Sequence, residues 1–524
     1  MQNETGNLVL TDETPAPGPA QFAVRALVAL VFLAGVWYYA DHLAVDNVGH
    51  IFLVVAALAG AYMAMNIGAN DVANNVGPAV GSGAMTLGVA VVIAAIFEAA
   101  GALIAGGDVV STIKDGIIDP SKLDTQVFIW MMMAALLGGA IWLNVATWMG
   151  APVSTTHSIV GGVLGAGLAA GGAGIANWGS MGAIAASWVI SPVMGGVIAA
   201  VLLFVIKHLI MYPEDMVKAA RKVVPWIIAL MAWAFVTYLM LKGVKKIFPV
   251  GFGTACLIGL VAAAIALFAS RASIARVAGS MPNSREAVNN LFTIPLIFSA
   301  ALLSFAHGAN DVANAIGPLA AVTDAVLEGG VTDKAKIPLW VMLVGAIGIS
   351  IGLILYGPRL IRTVGSEITE LDKSRAFCIA MAAAITVIVA SQLGLPVSST
   401  HIALGGVFGV GFLREYLKTN YASQLHMILN NHSGEDRERI KAFLDNFKGS
   451  DLEDMKSLLL EAKMRKTEVP LTKAERKRLK KIYKHEMVKR HQFLKIAAAW
   501  VITVPVSASL GALLFFTMRG IFVQ

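Results

Sequence analysis

Apolar runs long enough to cross a lipid bilayer recur from one end of the chain to the other, at 23–40, 51–66, 84–105, 180–206, 225–241, 247–269, 290–306, 337–356 and 497–517. A hydrocarbon core needs about 20 apolar residues in a helix, and inside it each peptide group must be satisfied within its own element. The chain is thereby confined to an all-α polytopic membrane protein. Composition agrees: 57% of residues are hydrophobic and only 14% charged, where a water-soluble domain carries about 25% charged residues. A soluble enzyme, a disordered chain and a fibrous one are excluded. Cys256 and Cys378 lie in apolar stretches and have neither disulfide-framework nor metal-site spacing. Residues 1–22 form a polar tail without Lys or Arg, so the first apolar run is expected to be a retained helix, not a cleaved leader. The Asn3-Glu4-Thr5 sequon reads as chance.

Charge is concentrated in one place. The net charge is +7, but 413–495 alone holds 20 basic and 12 acidic residues, leaving the rest of the chain one charge negative. The run Lys473-Ala474-Glu475-Arg476-Lys477-Arg478-Leu479-Lys480-Lys481 could contact nucleic acid. A solvated helical face on the cytoplasmic side is the reading adopted, because positive segments stay inside. Leu452, Met455, Leu458, Leu459 and Met464 recur at helical spacing, so this insert is expected to fold as a small helical cap. Two further apolar regions, 127–172 and 376–412, are broken by a Pro followed by hydroxyl residues and are expected to be re-entrant hairpins. On that topology Lys207, Lys218, Arg221, Lys222, Arg271, Arg276, Arg285, Arg359, Arg362, Lys373 and Arg375 fall inside and Asp108, Asp115, Asp119 and Asp124 outside. Lys242, Lys245 and Lys246 are the exceptions, landing outside.

The chain contains two copies of one unit. Gly68-Ala69-Asn70-Asp71-Val72-Ala73-Asn74-Asn75-Val76-Gly77-Pro78 recurs as Gly308-Ala309-Asn310-Asp311-Val312-Ala313-Asn314-Ala315-Ile316-Gly317-Pro318, identical at nine of eleven positions. Pro152-Val153-Ser154-Thr155-Thr156-His157 recurs as Pro396-Val397-Ser398-Ser399-Thr400-His401, and Trp188–Val193 resembles Trp500–Val506. Three markers in one order mean duplication. Repeat 1 is expected over 51–206 and repeat 2 over 290–412 and 496–524. A first helix at 23–50, connecting helices at 207–289 and the insert at 413–495 complete the chain. Five crossings between the starts of the copies would invert the second, the arrangement of secondary transporters with broken helices and a midplane site.

The repeated residues suit ions of opposite sign. Asn70, Asp71 and Asn74, with Asn310, Asp311 and Asn314, can converge on one side of a helical turn. Gly68 and Gly77-Pro78 weaken helical bonding there and free carbonyls. Carboxylate, amide and carbonyl oxygens suit a small hard cation; mutual pairing as interhelical glue is the plainer alternative. Ser154, Thr155 and Thr156, with Ser398, Ser399 and Thr400, open helices whose unsatisfied N–H groups and dipole attract an anion without Lys or Arg. Plain capping accounts for one hydroxyl per site, not three. Glu98 is an unduplicated acid in an apolar run; aligning Gly101 with Gly352 puts Ile349 opposite it. It is a candidate cation ligand or proton carrier. His157 and His401 suggest a Ser/His hydrolase, yet no Gly-x-Ser-x-Gly elbow surrounds either Ser. A neutral ring bonding a carbonyl, or orienting Thr156 and Thr400, is expected instead. An oxyanion in a low-dielectric site needs cations beside it, and a membrane potential then supplies about 2.3 kcal/mol per net charge per 100 mV.

On these two Asn/Asp boxes and two Pro-Val-Ser-x-Thr-His boxes, the chain closely resembles the inorganic phosphate transporter (PiT) family. Val80–Leu87 and Ile96-Phe97-Glu98 are similar to its sodium-coupled branch. The resemblance implies phosphate held by Ser154, Thr155, Thr156, Ser398, Ser399 and Thr400. Sodium would lie at Asn70, Asp71, Asn74, Asn310, Asp311 and Asn314, with Asn75, Glu98, His157 and His401 in coupling or supporting roles. It implies a homodimer in a plasma (bacterial inner) membrane, no nucleic acid, and no cofactor beyond co-transported sodium. Ala315 stands where the first box has Asn75, the large loop lies at 413–495 instead of between the halves, and Ala380 stands where some relatives carry an acid. The expected function is sodium-driven phosphate import by alternating access. Proton coupling, a metal–phosphate complex or sulfate on the same fold are the alternatives, and an intramembrane hydrolase a remote one.

Overall fold

The computed structural model describes residues 19–43, 47–149, 153–243, 248–328, 337–367, 371–430, 434–449, 458, 471, 472, 475 and 491–522. Lys473–Lys481 apart from Glu475, together with Leu452, Met455, Leu459, Met464, Lys245 and Lys246, lie outside them, as does Pro152. Within them the chain is helical, and the only bridge of strand type is an isolated one between Ile118 and Ala176. Among the described residues eleven helical stretches have the length and apolarity to cross a membrane. They match the nine expected runs and the first arms of the two expected hairpins.

The helices are α1 (Pro19–Leu43), α2 (Asn47–Asn70), α3 (Val72–Gly81), α4 (Leu87–Ala105), α5 (Gly107–Asp115), α6 (Thr125–Trp148), α7 (Thr155–Gly171) and α8 (Trp178–Ile206). Then come α9 (Met216–Lys242), α10 (Phe252–Ala278), α11 (Arg285–Asn290), α12 (Thr293–Leu327), α13 (Leu339–Glu367), α14 (Lys373–Gln392), α15 (Ser399–Asn430) and α16 (Gly434–Gly449). The final helix is α17 (His491–Phe522). Their starts follow sequence chemistry. The side chains of Asp124, Asn177, Asp215, Ser284 and Asp372 each accept a first-turn N–H, supplying a partner the helix itself lacks. Gly394, at φ +66°, makes the turn leading into the second tip, a backbone shape that favours glycine.

Burial sorts the helices into layers. α12 is buried along nearly its whole length and packs against α2, α4, α5, α6 and α14, forming the axis of the bundle. α1 and α10 expose most of their apolar side chains, as lipid-facing helices do. In lipid, helices associate through close packing at small residues, and here that packing is reciprocal between the two copies. A Cβ on Gly68 would overlap the Ile349 carbonyl, and one on Gly308 would overlap that of Glu98. Likewise Gly101 is closed off by the Phe305 carbonyl and its counterpart Gly352 by that of Met65. The tip helices repeat the pattern, with Gly165 against Ala508 and Gly409 against Gly196. Each copy therefore lends helices to the other.

Three expectations are corrected or refined. The first Asn/Asp box carries only a tightened turn at Asp71, between α2 and α3, where the Asn74 N–H bonds the Asp71 carbonyl at 3.0 Å while Asp71 keeps helical dihedrals; the second lies inside α12, which runs regularly through Asp311 and Pro318. Neither box is thus a broken helix. The regions 127–172 and 376–412 are helix–tip–helix units, yet α6 and α14 are each as long as full spans. α15 runs on past residue 413 to Asn430, so the insert begins as a continuation of a buried helix. At its far side Leu471 is buried, and the side chains and N–H groups of Thr472 and Glu475 bond reciprocally in a capping box. Lys242, one of the exceptions to the charge rule, forms an ion pair with Asp108, which neutralises a cation among the outward-assigned acids.

Candidate functional site

Four elements converge at the centre of the bundle: the α2–α3 junction, the middle of α12, and the N-terminal tips of α7 and α15. Every one of the twelve repeated site residues is buried except Asn74, which is partly so. The Asn side chains pin the boxes to the tips. Asn310 donates to the Ser391 hydroxyl (2.9 Å) and the Leu395 carbonyl (3.1 Å), and its carbonyl oxygen accepts from the Val397 N–H (3.1 Å). Asn70 reaches the Val153 carbonyl at 3.5 Å. The other pair crosses between copies: Asn74 donates to the Thr400 hydroxyl (2.8 Å) and Asn314 to that of Thr156 (3.1 Å).

The carboxylates share donors. The Thr155 hydroxyl lies 2.7 Å from Asp71 Oδ2 and 3.0 Å from Asp311 Oδ2, while Thr400 Oγ1 is 3.4 Å from Asp71 Oδ1. One hydroxyl proton thus serves two buried acids, and no Lys or Arg among the described residues pairs with either. Several acceptor oxygens here have no donor: Asp311 Oδ1 and Asn314 Oδ1 among them. Ligand atoms of Asp71, His307 and Asp311 all lie within 4.8 Å of one another. A buried set rich in acceptors and short of protons matches the oxygen coordination a hard cation takes.

The tips differ from the expectation in how their hydroxyls are spent. Ser154 and Ser398 accept the backbone N–H of His157 (3.2 Å) and His401 (3.3 Å) as N-caps, so neither hydroxyl pairs with an imidazole as a hydrolase would need. Thr156 donates across to the Val397 carbonyl of the other tip at 2.9 Å. The two tips therefore touch. The Ser399 hydroxyl is buried with no partner. By helix geometry the amides of Thr155 and Thr156, and of Ser399 and Thr400, lack acceptors in their own helices. Two positive helix ends thus face the shared centre. His157 does not orient Thr156: its ring packs on Trp188 (3.8 Å between centroids) and on His401 (4.7 Å). Trp188 in turn donates to the Pro396 carbonyl at 3.1 Å.

Sequence reading missed one member. His307 is fully buried, with Nδ1 at 2.7 Å from Glu98 and Nε2 at 3.4 Å from Asp311. Asn75 donates to the other oxygen of Glu98 at 2.8 Å. Glu98 therefore touches the site through two side chains, Asn75 from the first box and His307 from just ahead of the second. The signal was one residue upstream of the duplicated motif, where Ile67 and His307 differ most in chemistry.

The model of the family described as the phosphate transporter family matches residues 67–511. A protein of Helicobacter pylori strain J99 that carries the name of a phosphate permease is 54% identical over 508 residues, covering 94% of this chain and 95% of its own. One from Pyrococcus horikoshii with the same name is 40% identical over 368 residues, covering 69% and 89%. A solved structure titled the sodium-dependent phosphate transporter superposes with TM-score 0.73 at 31% identity, over 90% of this chain and all of the other.

Proposed function

The chain belongs to the phosphate transporter family, and on that premise we propose that it carries phosphate into the cell together with sodium, the two ions meeting where the tips of α7 and α15 face the Asn/Asp boxes. Phosphate transport across the membrane is the activity of the family, and the hydrolase reading falls with it. The finer reading rests on one observation above others: two buried carboxylates converge on a single Thr155 hydroxyl, with unpartnered acceptor oxygens and, among the described residues, no Lys or Arg beside them, only the His307 ring that Glu98 shares. Two like charges sharing one donor are tolerable in a low-dielectric interior only with a countercharge. The structural neighbour's title names sodium dependence for that protein, and sodium suits this oxygen set.

In this reading Asp71, Asp311, Asn70, Asn74, Asn310 and Asn314 hold sodium, with the Val153 and Leu395 carbonyls in reach. Thr155, Thr156, Ser399 and Thr400 hold phosphate through hydroxyls and first-turn amides, while Ser154 and Ser398 keep the tips capped. Coupling follows from a donor exchange. The Thr155 hydroxyl points at Asp71 and Asp311, and that of Thr400 at Asp71. A cation on the carboxylates satisfies their oxygens and releases those hydroxyls to turn toward phosphate. Sodium then both cancels charge and uncovers the donors, so it binds before phosphate. Alternating access comes from inverted repeats rocking about this centre, in a homodimer in the bacterial inner membrane with the insert cytoplasmic.

The test is uptake of labelled phosphate into proteoliposomes under separately imposed sodium and proton gradients. An inward sodium gradient is expected to drive accumulation, and a proton gradient in sodium-free medium is not. Equal uptake with and without sodium would remove the sodium reading and leave proton coupling. Accumulation of sulfate at the same rate would remove phosphate selectivity.

A further inference from the structure

Far from the ion site, α9 and α10 lie side by side as an antiparallel pair. Their basic ends are brought level by Asn283, whose amide donates to the Glu214 carbonyl (2.7 Å) and whose oxygen accepts the Met216 N–H (2.9 Å). About 8 Å in from the start of α9 and about 10 Å from the end of α10, Arg221, Lys222, Trp226, Arg271 and Ala275 line a hollow of about 460 Å³. Lys222 and Trp226 share one helical face, Arg271 and Ala275 another, each pair four residues apart. The small side chain of Ala275 leaves the space that a larger residue would fill. The Arg271 guanidinium lies 5.3 Å from the Trp226 ring centre, a cation–π contact that holds it toward the hollow.

Three cations stand here without an acid. Among the described residues no carboxylate forms an ion pair with Arg221, Lys222 or Arg271. What adjoins them is hydrocarbon. Phe268, Ile265 and Val261 continue the Arg271 face of α10 at helical spacing, and Leu230 continues the Trp226 face of α9; all four are strongly exposed. A cationic hollow near the basic ends of both helices, opening onto an uncovered apolar strip, fits a molecule with a phosphate at one end and acyl chains at the other. A free hydrated phosphate would match the charge but has no use for the strip.

We propose that this hollow binds the headgroup of an anionic phospholipid, phosphatidylglycerol or cardiolipin, whose acyl chains lie along Leu230, Phe268, Ile265 and Val261. Native mass spectrometry of the full-length protein in neutral detergent tests this with phosphatidylglycerol, cardiolipin, phosphatidylcholine and inorganic phosphate as probes. The anionic lipids should stay bound at collision energies that strip phosphatidylcholine. Lys222→Gln and Arg271→Gln should each weaken that binding about fivefold, the effect of one basic residue near an anionic headgroup. Ala275→Trp, which keeps every charge and narrows the hollow, should weaken it further. Monodispersity and phosphate uptake by each variant in phosphatidylcholine vesicles establish that it is folded. Equal retention of phosphatidylglycerol and phosphatidylcholine, or undiminished binding in folded Ala275→Trp protein, would overturn the proposal. So would displacement of the lipid by millimolar phosphate, which would make the hollow a free-anion site.

Discussion

Corresponding corners of the two copies are built from opposite chemistry. In one, Asn75, Glu98 and His307 form a buried hydrogen-bonded chain that ends beside Asp311. In the other the matching positions are Ala315, Ile349 and Ile67, all fully buried and all apolar. The backbone contacts beneath them are the same, since Gly308 sits against the Glu98 carbonyl as Gly68 sits against that of Ile349. The duplication has kept the close approach of helices and let the side chains above it diverge. The two Asn/Asp boxes thus share a scaffold without sharing an electrostatic environment. The helix irregularity follows the same division, a tightened turn at Asp71 and regular helix at Asp311.

If the halves differ as the contacts imply, removing each carboxylate should have large and distinguishable effects. Asp71→Asn and Asp311→Asn should each cut phosphate uptake about a hundredfold, since a charge-assisted bond contributes up to about 3 kcal/mol. Only Asp71→Asn frees Thr400 as well, so it should also change the phosphate concentration for half-maximal uptake. Identical sodium and phosphate dependence in the two variants would break the comparison. Next in size is stability. Glu98→Leu strands His307 and should cost about 3–5 kcal/mol, read as earlier unfolding in detergent. Replacing Asn75, Glu98 and His307 together by Ala, Ile and Ile, the apolar set of the other copy, should restore most of that loss. A triple variant less stable than Glu98→Leu would show that the two corners are not interchangeable packing.

Smaller effects sharpen the account of the tips. Thr156→Ala removes an acceptor of Asn314 and the bond to the Val397 carbonyl, and should raise the half-maximal phosphate concentration about tenfold, the worth of a bond of ~1.4 kcal/mol. An unchanged value would reduce the tip to a helix cap. Ser399→Ala, at a hydroxyl without a partner, should leave unfolding within about 0.5 kcal/mol while still weakening phosphate uptake. Lower stability with unaltered phosphate dependence in that variant would argue for a packing role.

Much of the site was legible because duplication marks it. Asn70, Asp71 and Asn74 and their copies could be assigned together with the hydroxyl tips, since periodicity and capping chemistry are local properties. What each hydroxyl does was not legible. Ser154 and Thr155 are neighbours of similar chemistry, yet one caps its own helix and the other bridges two acids from different copies, a distinction set by distances across 84 and 156 residues of chain. His307 escaped notice because its partner Glu98 lies 209 residues away. The expected pairing of His157 with Thr156 failed because Trp188 and His401 take its ring instead.

By itself the sequence determined that the chain is a helical membrane protein, built twice, with acid-and-amide boxes and hydroxyl tips in each copy. These depend on hydrophobic run length, residue periodicity and the bonding habits of Pro, Gly and hydroxyl residues, all readable within a few turns. The tertiary structure alone decided that the two acids meet at one hydroxyl and that Glu98 reaches the centre through a histidine. It also brought Arg221, Lys222 and Arg271, none with an acid among the described residues, around one hollow. The physical reason is that electrostatics depends on separation in space, and separation between distant segments is fixed only when the helices pack.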